Sequence, residues 1–345
     1  MTDLLSRRAL LAGIAAAPLA ACVTAGASRM VQVNLAGGVL PPPPPGVGVP
    51  DTDGAVRTGF DAVRRMTVEA WIEDSGPYRF VVDTGANRSV LSSEVAQALG
   101  LVSSGQAIVH GIAGTLPSST VLVKKLAMGG LISRRVRMPV LPRQYLGADG
   151  LLGVDVLVHR RAMLDFERQT FSLASGEPVV ATSRGPRSRE TTEAKPNEIV
   201  VPARHRFGQL TIVDAELGGV KLTAFLDSGA ESTVGNTALY RALKGSPGAI
   251  GDRPMQVELV SATGQLVAGE LASVPPLRLG GVRLGNLYCV FADLHTFRIW
   301  QLDDRPALLV GVDVMRHFDS IELDFDKRNV IFRSRQFGRA VNAGN

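Results

Sequence analysis

The sequence predicts an all-β protein with two tandem lobes, and three observations support this prediction. Aromatic residues make up only 5% of the chain, whereas 37 glycines and 20 prolines provide many turns, as is typical of β-rich proteins. Residues 80–86 (FVVDTGA) and 224–230 (AFLDSGA) contain nearly the same motif. The segments around these motifs follow in the same order in both halves, which indicates an internal duplication.

Each copy is predicted to contain a strand, the motif, a short helix, a hairpin, an apolar-Gly segment and a Leu-Asp-Phe triplet. In the first copy these elements lie at residues 66–73, 80–86, 93–99, 108–114, 150–156 and 164–166. In the second copy they lie at residues 210–217, 224–230, 236–243, 257–264, 308–314 and 323–325. Between the motif aspartate and the apolar-Gly segment, the second copy is 14 residues longer.

Residues 1–21 predict an export signal. Arg7 and Arg8 precede an apolar stretch of 13 residues, which is too short to span a bilayer and resembles a twin-arginine signal. The stretch ends in Leu-Ala-Ala-Cys, which is similar to the lipobox of bacterial lipoproteins, so Cys22 is the expected lipidation site. The alternative is an ordinary signal peptide with an incidental cysteine. We therefore expect a periplasmic protein, lipid-anchored to the inner or the outer bacterial membrane.

The composition also predicts the remaining boundaries. Residues 22–61 include five consecutive prolines and predict an extended tether. Residues 175–196 are poor in apolar side chains and predict an interdomain linker. The lobes are then expected at 62–174 and 197–336, with a tail at 337–345. Because the net charge of +5 is spread along the chain, we expect no nucleic-acid partner.

The two motifs predict a pair of catalytic carboxylates. Asp83 and Asp227 each follow an apolar run, which would carry the carboxylate into surroundings with little water. Two carboxylates held face to face do not both ionise readily, so one retains a proton and the pair can activate a water molecule. Such a pair titrates as a unit, so the shared proton is assigned to neither residue.

The residues after each aspartate are expected to hold the pair in place. Gly85 and Gly229 would let the backbone turn sharply and let the opposite loop approach closely. Thr84 and Ser228 provide hydroxyls that can form hydrogen bonds with the backbone of the other loop.

These residues resemble the retropepsin-like aspartic peptidases, the clan that includes pepsins and retroviral proteases. The resemblance covers both copies and depends on the apolar-Asp-[Thr/Ser]-Gly-Ala motif and the downstream apolar-Gly segment. It implies two β-barrel lobes related by a pseudo-twofold axis. Because both lobes lie on one chain, the expected monomer is a covalent pseudo-dimer. It further implies hydrolysis of a polypeptide by general acid–base catalysis, without a cofactor or a metal.

The resemblance also implies a set of substrate-binding residues. They are Ala86, Asn87, Ala230, Glu231, Gly111 and Gly114. In the family, the two positions directly after the motif usually hold acidic residues. Here they hold Asn87 and Arg88, which depart from that pattern. Gly111 and Gly114 are expected at the tip of a flap, whereas the matching hairpin of the second copy has fewer glycines and is expected to be stiffer or partial.

Other residues with reactive side chains are expected to be structural. Asp155 and Asp313 are expected to cap short helices. Cys289 lies in an apolar run, which predicts a buried, unreactive thiol. His110 is expected to be a flap or surface residue.

Two further functions are compatible with the sequence. One is a protease-shaped binding module with little or no turnover. The other is a sugar-kinase or actin-type ATPase, whose duplicated phosphate loops also contain apolar-Asp-x-Gly. Export argues against the ATPase, because ATP is not normally present outside the cytoplasm.

Overall fold

A computed structural model describes residues 55–61, 64–129, 131–175, 197–206, 209–245, 250 and 254–335. The predicted export signal, Cys22, most of the tether, nearly all of the linker and the tail lie outside these residues. The predictions that concern them therefore remain predictions.

The described residues form 23 strands and six short helices. The strands before the linker are β1 (Ala55–Arg57), β2 (Gly59–Phe60), β3 (Met66–Ile72), β4 (Ser75–Val82), β5 (Val90–Ser92), β6 (Ser103–His110), β7 (Thr115–Met128), β8 (Leu131–Leu141), β9 (Gly150–Leu152), β10 (Arg160–Asp165) and β11 (Thr170–Ser175). The strands after it are β12 (Glu198–Arg206), β13 (Gln209–Leu217), β14 (Val220–Leu226), β15 (Val234–Gly235), β16 (Met255–Val260), β17 (Leu266–Val274), β18 (Leu277–Leu279), β19 (Val282–Leu284), β20 (Leu287–Phe291), β21 (Ala307–Val310), β22 (Ser320–Asp324) and β23 (Asn329–Arg333).

The helices are α1 (Ser93–Ala98), α2 (Arg143–Leu146), α3 (Val154–Leu157), α4 (Thr237–Lys244), α5 (His295–Ile299) and α6 (Val312–Met315). Helices α1 and α4 begin at matching positions, since Ser92 and Asn236 each stand nine residues after a motif aspartate. Each of these side chains accepts a hydrogen bond from a backbone N–H of the first turn, which satisfies a donor that the helix leaves open. In the part of the chain that the structure describes, no helix is both long and apolar enough to cross a bilayer.

The first lobe is a closed barrel of six strands. Strands β3, β4, β9, β5, β8 and β7 pair in that order, and β7 pairs back to β3. Phe80, Leu91 and Met138 point inward and are fully buried. The interior strands β5 and β9 and the end of β4 are buried along their whole length, as is typical of strands covered on both faces.

The second lobe repeats this arrangement with one long strand divided. Strands β13, β14, β21, β15, β20 and β17 pair in the matching order, and β18 occupies against β13 the place that β7 has against β3. Pro275 and Pro276 separate β17 from β18. Proline has no N–H to donate to a strand ladder, so the counterpart of β7 is interrupted here. The repeated strand order confirms the predicted duplication.

A further sheet joins the lobes. Strands β1, β11, β10, β22, β23 and β12 pair in that order, and β10 pairs antiparallel with β22 of the other half. The two halves therefore contact each other within one chain.

Regular structure begins before residue 62, within the predicted tether. Strand β1 pairs with β11 and β2 pairs with β3. Strand β1 extends the free edge of β11, and β2 pairs with Met66 and Thr67, a part of β3 that does not pair with β7. Unpaired N–H and C=O groups of a strand accept such an additional short strand. Such pairing depends on the finished sheet, so the composition of the tether did not indicate it.

Candidate active site

Parallel strand pairing places both motif aspartates. Strand β4 pairs parallel with β9, and β14 pairs parallel with β21. Immediately beyond these pairings, the Asp83 N–H donates to the Leu152 carbonyl and the Asp227 N–H donates to the Val310 carbonyl, each at 2.9 Å. Each aspartate therefore begins a loop at the end of an interior strand, as the sequence predicts.

Four reciprocal hydrogen bonds connect the two loops. The Thr84 hydroxyl donates to the Leu226 carbonyl at 2.8 Å and accepts from the Ser228 N–H at 3.0 Å. The Ser228 hydroxyl donates to the Val82 carbonyl at 2.7 Å and accepts from the Thr84 N–H at 3.1 Å. All of these groups are buried. The network fixes the two loops in register across the interface between the lobes.

The motif glycines lie directly against the opposite aspartate. A Cβ added to Gly85 would collide with the Asp227 carboxyl, and one added to Gly229 would collide with the Asp83 carboxyl. The absence of a side chain at these two positions therefore allows the carboxyls to meet. The two carboxyl groups lie close enough for each to influence the pKa of the other.

The carboxyl pair is almost fully removed from solvent, with Asp83 1% and Asp227 2% exposed. Burial raises the pKa of both carboxyls, and the negative charge of Asp83 raises the pKa of Asp227 further. The positive charge of the buried Arg65 opposes the rise in the pKa of Asp83, as do backbone N–H groups. The Gly85 N–H, for example, donates to Asp83 Oδ1 at 2.9 Å. These opposing effects favour a single proton shared by the pair.

Asp155 and Asp313 are not the N-cap residues of the helices that they were expected to cap, although the Asp313 carboxylate accepts a hydrogen bond from the Val314 N–H in the first turn of α6, at 2.8 Å. The N-cap residues of α3 and α6 are glycines without a capping side chain. Asp155 instead accepts from the N–H and hydroxyl of Ser89, at 2.8 and 2.7 Å, and Asp313 accepts from the N–H and hydroxyl of Thr233, at 2.9 and 2.8 Å. Both carboxylates brace the segment that follows a motif. The sequence did not indicate this role because the bonds connect residues far apart in the chain.

Two hairpins meet above the carboxyl pair. We define flap 1 as residues 111–114, between β6 and β7, and flap 2 as residues 261–265, between β16 and β17. Gln265 Nε2 donates to the Thr115 carbonyl at 2.9 Å, which joins the two hairpins. A Cβ on Gly111 would collide with side chains of flap 2, so this glycine allows the close approach. The second hairpin therefore contacts flap 1 directly.

The tip of flap 1 is docked into the second lobe. Ile112 is 3% exposed and packs in a cluster of that lobe with Phe225, Leu259 and Trp300. The His295 N–H at the start of α5 donates to the Ile112 carbonyl at 2.7 Å.

Two imidazoles extend this contact between flap 1 and α5. His110 Nδ1 lies 3.0 Å from His295 Nε2, and the rings are stacked. Burial, followed by the proximity of His110 and of Arg298, lowers the pKa of His295. His110 is thus an exposed residue beside flap 1, at the end of β6, and it also participates in holding the flap.

A cavity of about 300 Å³ lies between the carboxyl pair and flap 1. Its walls are mainly apolar and come from the first lobe, with a contribution from α5 and Trp300 of the second. The residues Val90, Val109, Pro139, Leu141 and Leu151 form the apolar wall of the first lobe. The cavity therefore occupies one half of the cleft.

The structure separates the predicted substrate-binding residues into two groups. Ala86, Asn87 and Gly111 line the cavity. Ala230 is buried in the second-lobe cluster that holds Ile112, whereas Glu231 and Gly114 are not among the cavity-lining residues.

The sequence analysis did not identify the contribution of α5, including Thr296 and Ile299, to the cavity. The available signal was the greater length of the second copy. Fifteen residues separate β20 from β21, whereas eight separate β8 from β9.

Neither a reactive thiol nor a metal-binding group is found among the described residues. Cys289 is buried in β20, as predicted, and burial raises the pKa of its thiol. Among the described residues, no three His, Cys, Asp or Glu side chains form a group that could hold a metal ion.

A model of the aspartyl protease family matches residues 68–156 and 213–314, which together make up more than half of the chain. The chain belongs to the aspartyl protease family. Each matched segment contains one motif aspartate and one apolar-Gly segment, so this aspartyl protease carries two copies of the family unit. Its membership is incompatible with the ATPase alternative. No curated protein shows a significant match to the chain.

Proposed function

We propose that the protein is an aspartic endopeptidase that hydrolyses peptide bonds with a water molecule activated between Asp83 and Asp227. One observation carries this proposal: reciprocal hydrogen bonds from Thr84 and Ser228 hold the two buried carboxyls together beneath paired flaps. Membership of the aspartyl protease family supports it.

The site suits general acid–base catalysis without a covalent intermediate. The ionised aspartate removes a proton from the water as its oxygen attacks the peptide carbonyl carbon. The protonated aspartate donates a hydrogen bond to the carbonyl oxygen, and a proton returns to the leaving nitrogen. The raised pKa of both carboxyls supports these roles of one ionised and one protonated aspartate. It extends to higher pH the range in which one proton remains on the pair.

A digest of a peptide library tests the proposal. Wild-type protein should cleave a subset of peptides, and Asp83→Asn and Asp227→Asn should each reduce the rate by about a thousand-fold or more. Asp326→Asn is the matched control, because this aspartate lies in an exposed turn and does not line the cavity. Cleavage by either motif variant at the rate of the control would contradict the proposal.

A second function, a binding module with little turnover, is favoured by the docking of Ile112 into the second lobe, which fills one half of the cleft. This function predicts that library peptides bind the wild-type protein without being cleaved between acidic and neutral pH. Equilibrium binding measured beside the digest separates the two functions.

We further propose that the protein acts outside the cytoplasm, anchored by a lipid on Cys22. The twin-arginine pattern and the lipobox-like segment support this location. Incorporation of a labelled fatty acid should be lost in Cys22→Ser, with the protein released from the membrane fraction. Unchanged labelling and membrane association in Cys22→Ser would contradict the anchor.

A further inference from the structure

The cleft is not symmetric, although the lobes that form it are. Flap 1 and flap 2 place Ile112 and Ala262 at matching positions. Ile112 fills the apolar pocket of the second lobe. Ala262 lines the cavity but is too small to fill the matching pocket of the first lobe, so space of about 300 Å³ remains there.

This space suits one large apolar side chain. Its wall of valine, leucine and proline side chains offers no polar partner, and Ile299 and Trp300 continue the apolar surface from the other side. Apolar side chains gain free energy when such a surface is removed from water. A peptide would therefore place its largest apolar residue in the first-lobe half of the cleft.

A cation stands at the edge of the same space. Arg88 lines the cavity and is exposed, and no carboxylate of the described residues lies within ion-pair distance of its guanidinium. The other charged or titratable residues lining the cavity are the carboxyl pair and His110. The matching position in the second lobe is Ser232, which is buried, so the cation is present on one side only.

Asp155 is an internal carboxylate that interacts electrostatically with Arg88. Burial raises the pKa of Asp155, and its hydrogen bonds from Ser89 and then the positive charge of Arg88 oppose this rise. The Asp155 carboxylate accepts from Ser89 and forms no ion pair with Arg88 within 4 Å. The guanidinium consequently retains donors that can bind a carboxylate in two-point geometry.

We propose that this site selects polypeptide segments in which an acidic residue lies close to a large apolar residue, with the apolar side chain in the first-lobe cavity and the carboxylate on Arg88. The inference rests on the proposed endopeptidase function. Because only one lobe carries the cation, the acidic residue should be preferred at one position, on one side of the scissile bond.

Matched peptides test this selection. A cleaved peptide from the library is resynthesised with Glu, Gln or Lys at each position near the scissile bond, and kcat/KM is measured at low and high salt. At one position, wild-type protein should cleave the Glu peptide about five-fold faster than the Gln peptide, as expected for a solvent-exposed ion pair. High salt should reduce this ratio, because mobile ions screen exposed charges. Replacing the adjacent large apolar residue with Ser should reduce kcat/KM in every variant.

Variants of Arg88 assign the preference to its charge. Arg88→Gln should remove the difference between Glu and Gln peptides, and Arg88→Glu should favour the Lys peptide. Arg283→Gln is the control, because Arg283 is an exposed arginine on β19. This variant should keep the wild-type ratio of the cleavage rates of the Glu and Gln peptides. Thermal unfolding shows whether each variant is folded. If Arg88→Glu does not fold, Arg88→Gln alone is sufficient for the test.

The outcomes are distinguishable. Equal cleavage of Glu and Gln peptides at every position by wild-type protein overturns the inference and leaves the endopeptidase function intact. A Glu preference that survives in Arg88→Gln also overturns it. Failure of wild-type protein to cleave any peptide overturns the proposed function, and the inference with it.

Discussion

Thr84 offers a direct test of the hydrogen bonds that join the two motif loops. In Thr84→Val the side chain keeps its shape but loses the hydroxyl. The Leu226 carbonyl then lacks its donor and the Ser228 N–H lacks its acceptor, although both residues stay buried, at 3% and 1% exposure. Each buried group left without a partner costs about 1–3 kcal/mol. The free energy of unfolding should therefore fall by about 2–6 kcal/mol, a large part of the stability of a typical domain.

Thr84→Ser is the matched control, because it keeps the hydroxyl and removes only one methyl group. Its cost should be about 1 kcal/mol. Urea unfolding followed by circular dichroism gives both free energies, and peptide cleavage gives the effect on the site. We expect Thr84→Val to lose activity as well as stability, because its hydrogen bonds set the separation of the carboxyls. If Thr84→Val matched Thr84→Ser in both measurements, the network would not hold the pair together.

Three further predictions concern the residues around the network. Gly85→Ala should abolish cleavage and lower the unfolding midpoint in urea, because the added Cβ collides with the Asp227 carboxyl; wild-type activity in this variant would contradict the close approach. Burial raises the pKa of Asp227 in the folded protein above the ordinary carboxyl value of 3.8. The stability that the protonated Asp227 contributes is therefore complete below pH 3.8 and is lost as the pH rises through the higher pKa of the folded protein. Asp227→Asn should therefore lose less stability than wild type between acidic and neutral pH, as measured by urea unfolding, and equal losses would contradict the raised pKa. Burial and His110 lower the pKa of His295, so the flap contact should persist above the ordinary histidine pKa of 6.5 and weaken as the pH falls. Hydrogen-exchange protection factors at residues 111–114, which correct for the intrinsic slowing of exchange in acid, should fall with pH in wild type but show a smaller pH step in His295→Gln, and identical profiles would exclude a role for the imidazole pair.

The motif loops were predictable from the sequence because their determinants are local. An apolar strand, an aspartate, a hydroxyl residue and a glycine specify a buried carboxylate on a tight loop, and the second copy specifies its partner. The hydrogen bonds of Thr84 and Ser228 follow once the two loops face each other. The same holds for the barrel, since both copies present their strands in one order.

The rest of the cleft depends on contacts between distant segments. The partners of Asp155 and Asp313 lie 66 and 80 residues away in the chain. The docking of Ile112 requires α5, a helix of five residues that begins without a side-chain cap. A segment this short carries too little periodicity to be predicted from its sequence. The only indication that the second lobe contributes differently to the cleft was the greater number of residues between β20 and β21 than between β8 and β9.

The asymmetry of the cleft follows from having both lobes on one chain. In a symmetric homodimer each residue occurs twice, so a side chain that fills one half of the cleft also fills the other. Here Ile112 and Ala262 occupy matching positions, as do Arg88 and Ser232, and each pair differs in size or charge. The core residues and motif loops can remain similar in both lobes, because they maintain the carboxyl pair. The cavity-lining positions can differ, and under the proposed selection they would give a peptide in this cleft a defined direction.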